Sequence, residues 1–209
     1  MDLKVVEGFR SIFRDMVNIG KGVDQQPIEL DDERLESATT MQHVFDIVMK
    51  GGAVCATPII YLQRVVGFLR KYECKASIES IQSQLWATMS RKRGCGDKWL
   101  LFVRASFLDD HELCCRIISD YGDVVWADKK SSDTVETWGD DAPGSYIFDP
   151  SAMSQAWLRF LPEDTVWALL RASSKATFNK PTAGSSKMPA GMQAMGQEYK
   201  RLMQLRGEF

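Results

Sequence analysis

The stretch "RKRGCGDK" at residues 91–98 sets Arg91, Lys92, Arg93 and Lys98 around Gly94 and Gly96. Backbone amides bared at glycines, together with clustered cations, are the groups that hold a phosphate, so these four side chains are the candidate contacts to RNA or DNA. The same residues also fit the solvated end of a helix, where cations answer the macrodipole. Cys95 lacks the arginine six positions on that a thiol phosphatase would need, because residue 101 is leucine. Further along, His111, Cys114 and Cys115 fall at i, i+3 and i+4, which brings zinc-type ligands to one helical face. A structural zinc wants a fourth ligand, and only Cys95 or a carboxylate is on offer. Adjacent cysteines after Leu113 read more simply as small core hydrophobes, and no metal or other cofactor is assigned.

Acids supply the second constellation. "VVWADKK" runs from apolar residues into Asp128-x-Lys130, and Asp109, Asp110, Asp120 and Asp123 precede it. This short segment resembles the metal-dependent nucleases of the PD-(D/E)xK kind. The resemblance implies that carboxylates such as Asp110 and Asp128 hold Mg²⁺ or Mn²⁺ while Lys130 supports the attacking water. The Pro-Asp of that pattern is missing here, and residues 128–133 equally make a charged hairpin turn. G-x-S-x-G, H-E-x-x-H, the P-loop and G-x-G-x-x-G are all absent. A nuclease is therefore the alternative reading, with no catalytic residue assigned in the first.

The first reading comes from the tail. In "SKMPAGMQAMGQEYKRLMQLRGEF", Met188, Met192, Met195, Tyr199 and Leu202 are spaced 4, 3, 4 and 3, with Met203 beside them, while Gln193, Gln197, Lys200 and Gln204 face the other way. Glycine costs a helix about 1 kcal/mol relative to alanine, and short isolated helices are marginal in water, so this segment needs a groove to cover its apolar side. That groove belongs either to its own domain or to another molecule. Met192, Met195, Tyr199, Leu202 and Met203 are the candidate partner-binding residues, flexible methionines suiting a loosely matched groove.

The elements that must position these groups follow from periodicity. A helical arm is expected at residues 1–20, where Val5, Phe9, Ile12, Phe13 and Met16 share a face. Helices follow near 32–49, 58–72 and 77–91, the last with Ser77 as N-cap. The apolar run "KWLLFVRASF" at 98–107 reads as a buried strand, and "DVVWA", "TVETW" and "SYIFD" as three more. A helix capped by Asp109 or Asp110 and stopped by Gly122 lies between them, and helices start at Asp149-Pro150 and at Pro162. The fold class is thus α+β and mostly helical: a helical core with a small antiparallel sheet around residues 98–149 and a tethered C-terminal helix. The domain plan is an arm at 1–20, a globular core at 21–172, a flexible linker at 173–187 rich in Ser, Thr, Gly, Pro and Lys, and an amphipathic helix at 188–209.

Composition sets the outer limits. With 44% hydrophobic and 26% charged residues and a net charge of −2, the 209-residue chain is neither disordered throughout nor generically basic. Charge is nonetheless uneven: residues 109–149 carry eleven acids against three bases, and 171–208 seven bases against two acids. No apolar run reaches the length of a membrane span and the first residues do not read as a signal peptide, so a cytoplasmic, reducing location is expected for its five cysteines. The expected function is a non-enzymatic assembly or interaction protein, a homo-oligomer or the binder of a protein partner through terminal helical arms. A coat- or nucleocapsid-like association with nucleic acid is a variant of it.

Overall fold

The computed structural model describes residues 32–49, 54–89, 95–125, 145–153, 155–178 and 188–206. The chain divides into two compact units, residues 1–88 and 89–209. Among the described residues the protein is helical, with no strand.

In the first unit, helix α1 (Ala38–Val44) begins at Ser37, whose hydroxyl accepts the Thr40 amide at 3.2 Å, and runs on into a π-type turn at Phe45–Met49. Helix α2 (Ile59–Lys71) follows Pro58, which sits where no intrahelical amide is needed. Leu62, Val65, Val66 and Leu69 recur at i, i+3, i+4 and i+7, and all are buried. The helix ends where Glu73 takes a positive φ of 53°, closed by the Cys74 amide donating to the Leu69 carbonyl at 2.8 Å. Helix α3 (Lys75–Met89) starts two residues before the expected Ser77, because that turn hands the chain over early, and Ser77 is buried inside it.

One polar device holds the segment before α1 to the end of α2. The Glu36 carboxylate is buried and accepts hydrogen bonds from the Asp32 amide at 2.9 Å and from the Tyr72 hydroxyl, with the Lys71 ammonium at 2.8 Å. Burial alone would raise its pKa, but the bonds from Lys71, Tyr72 and Asp32 outweigh that and hold it down at about 2.

In the second unit the expected small sheet is not found among the described residues. Residues expected to open it as a strand, 98–107, lie in helix α4 (Cys95–Phe107). From Lys98 to Leu108 every side chain but that of Leu100 is buried. A helix covered on all sides has no polar face, so its sequence carries no period and looks like a buried strand. "SYIFD" is likewise no strand: Tyr146, Ile147 and Phe148 are buried in a turn, touching Val125 through one antiparallel bridge. Its turn is closed by the Asp149 amide on the Tyr146 carbonyl at 3.1 Å. "TVETW" lies outside the described residues, as does the segment 1–20. No long helix starts at Asp149-Pro150; that stretch is a turn, followed by the single-turn α6 (Gln155–Leu158).

Helix α5 (His111–Tyr121) has Asp110 as N-cap, accepting the Leu113 amide at 2.9 Å, and stops at Gly122. Helix α7 (Glu163–Ser173) follows Pro162, with Glu163 and Asp164 at the positive end of its dipole. Helix α8 (Met192–Arg206) closes the unit, packing on α5 and α7, while α4 packs on α5. The centre is aromatic: Phe102 lies 5.5 Å from Trp99, 5.2 Å from Phe148 and 5.7 Å from Tyr199 between ring centroids.

Candidate interaction surface

The methionine face of α8 points into its own unit. Met192, Met195, Tyr199, Leu202 and Met203 are all buried, and Gln193, Gln197 and Gln204 are exposed. Glycines let the backbones meet. A Cβ on Gly196 would stand 2.5 Å from Ser119 Oγ and 2.7 Å from the Cys115 carbonyl oxygen, so α8 can lie this close to α5 only without one. Gly191, at φ 86°, turns the chain into α8 against the Lys175 carbonyl, beside the bridge between Thr177 and Ala190. At the rim, Lys200 pairs with Glu112 and Arg206 with Asp164.

Of the cationic set, Arg91, Lys92 and Arg93 lie outside the described residues. Lys98 is buried, its ammonium donating to the Met89 carbonyl at 3.2 Å and standing 3.8 Å over the Tyr121 ring. Tyr121 donates to the same carbonyl at 2.6 Å, so the two side chains share one acceptor. Of the acidic set, Asp128 and Lys130 lie outside the described residues, and Asp110 is occupied as the α5 cap. Burial raises the thiol pKa of Cys114 and Cys115 and lowers that of the His111 imidazole, against the pull of Asp109 and Asp110. No group of His, Cys, Asp or Glu among the described residues could hold a metal ion.

A surface that sequence reasoning missed lies on α7. Thr165, Ala168, Ala172 and Leu169 are its buried stripe, which leaves Trp167 and Leu170 off the core, 37% and 49% exposed. The Trp167 indole is attended by two guanidinium groups, that of Arg171 from its own helix at 5.6 Å and that of Arg206 from α8 at 5.3 Å. Leu205, in the last turn of α8, is also exposed. The signal was present in "EDTVWALLRAS": once Thr165, Ala168, Leu169 and Ala172, at i, i+3, i+4 and i+7, are taken as the buried face, the tryptophan has nowhere inside to go.

Tryptophan and arginine are residue types enriched at the centres of protein interfaces. Chemically this surface offers a flat apolar face, two cations and, through Glu163 and Asp164, two carboxylates within three turns of helix. No helix among the described residues is long and apolar enough to cross a membrane. Comparison of the chain with protein-family profiles, with curated proteins and with solved structures finds no match.

Proposed function

We propose that this chain is a non-enzymatic interaction or assembly protein that docks another protein through the α7–α8 ridge centred on Trp167, in a reducing cytoplasmic compartment. The observation that carries the reading is the indole of Trp167, exposed and attended by Arg171 and Arg206, on a helix whose other face is fully occupied by its own core. Docking through terminal helical arms is thereby narrowed to the outer side of α8, which contributes Leu205 and Arg206, since its methionine side is used within the unit. Free thiols at Cys55, Cys74, Cys114 and Cys115 are in keeping with the compartment.

A photo-reactive benzophenone amino acid placed at Leu170, in cells that make the protein, tests this. A discrete covalent adduct is expected from Leu170, absent when Trp167→Ala is added and absent from a control position at exposed Glu79 on α3. If Leu170 gives no adduct, or one indifferent to Trp167→Ala, the ridge is not a docking surface.

A further inference from the structure

Resting on that docking reading, we propose that the occupant of the ridge is a second copy of this chain, with α7 packed antiparallel on its counterpart across a two-fold axis at Trp167. The order of charges along the helix favours this pairing. Glu163, Trp167 and Arg171 occupy one exposed i, i+4, i+8 row, the kind of ridge that helices use to interlock. Across a two-fold axis at Trp167, a residue four places before the centre meets the residue four places after it on the other copy. Glu163 therefore faces Arg171 of the second copy, and Arg171 faces its Glu163, so one complementary pair is made twice. Asp164 in the same way faces Leu170, but its charge is already answered by Arg206 within the chain. Neither Glu163 nor Arg171 has an ion-pair partner among the described residues. At the axis, the two indoles cover one another.

The antiparallel sense is also the one that helix dipoles favour, each N-terminus lying near the other C-terminus. A parallel pairing would set Glu163 beside Glu163 and Arg171 beside Arg171. Because α7 has 11 residues, about 16 Å of helix, the contact is small beside the roughly 1,200 Å² of lasting interfaces. The dimer must therefore dissociate on dilution.

Sedimentation velocity of the full chain from about 5 to about 500 µM, at low and moderate salt, tests the arrangement. Wild type is expected to shift from monomer toward dimer as concentration rises, with Trp167→Ala abolishing the shift. E163R and R171E should each weaken association about tenfold, because each sets like charges together at both symmetric contacts. The double variant E163R/R171E should return to within about threefold of wild type. Single reversals also oppose the α7 dipole, so circular dichroism must show each variant folded; the double variant opposes it at both ends, and its recovery can come only from the restored pair. A monomer at every concentration overturns the inference, as does a dimer indifferent to Trp167→Ala, or a double variant as weak as the singles. Should the chain stay monomeric while Leu170 links to a protein of another mass, the second copy is excluded and the docking reading stands. If Leu170 links to nothing, both fall.

Discussion

The two units each fasten a segment, and they do so by opposite means. In the first, the segment before α1 is held to the end of α2 by one buried carboxylate, Glu36, that gathers donors from Asp32, Lys71 and Tyr72. In the second, α8 is held by apolar volume and by the absence of a Cβ at Gly196. A polar attachment tolerates small changes of shape and fails when its charge is removed; an apolar one ignores pH and fails when its shape changes.

The largest expected effect breaks the apolar attachment. Gly196→Leu must push α8 away from a backbone carbonyl that cannot yield, and should destabilise the second unit by about 4 kcal/mol in urea titration. Equal stability would show that α8 is not seated on α5. Met195→Ala, which removes a fully buried side chain without adding bulk, should cost about 3 kcal/mol at pH 7 and the same at pH 4.

Glu36→Gln sharpens the contrast from the other side. It should cost about 2 kcal/mol at pH 7, the scale of hydrogen bonds to a charged group. The folded-state carboxyl sits at about 2 and its ordinary value is 4.5. Its contribution is therefore complete above the ordinary value and is lost as pH falls toward 2. The wild-type urea midpoint should drop across that window, and the glutamine variant should flatten the drop. A slope unchanged by the substitution would remove Glu36 as its source.

The smallest effect belongs to Trp167→Ala. An exposed side chain with two exposed cation–π contacts should change monomer stability by less than about 1 kcal/mol, leaving neither attachment altered. A loss as large as that of Met195→Ala would place the indole in the core.

How much of this was legible in the sequence depended on whether each helix kept a polar face. Residues 58–72 and 109–122 could be read because Leu62, Val65, Val66 and Leu69 form a stripe, and because Asp110 and Gly122 mark both ends of α5. Residues 98–107 could not, since burial on every side erased the period that separates helix from strand, and even Lys98 and Arg104 were drawn inside. The aromatic "SYIFD" has strand composition but serves as a plug, with Phe148 against Trp99 and Phe102. In α8 the spacing of the methionines showed that a face would be covered without saying by what. The tryptophan of α7 went unremarked because a large apolar residue in a helix is ordinarily assigned to the core.

Lys200 meets Glu112 across 88 residues of chain. Closing that length of chain costs entropy before the methionines gain anything from being covered. The seating of the last helix is a long-range event, of the kind that forms more slowly than the local contacts within a helix. Until it occurs, the side of α5 that receives α8 stands open to water.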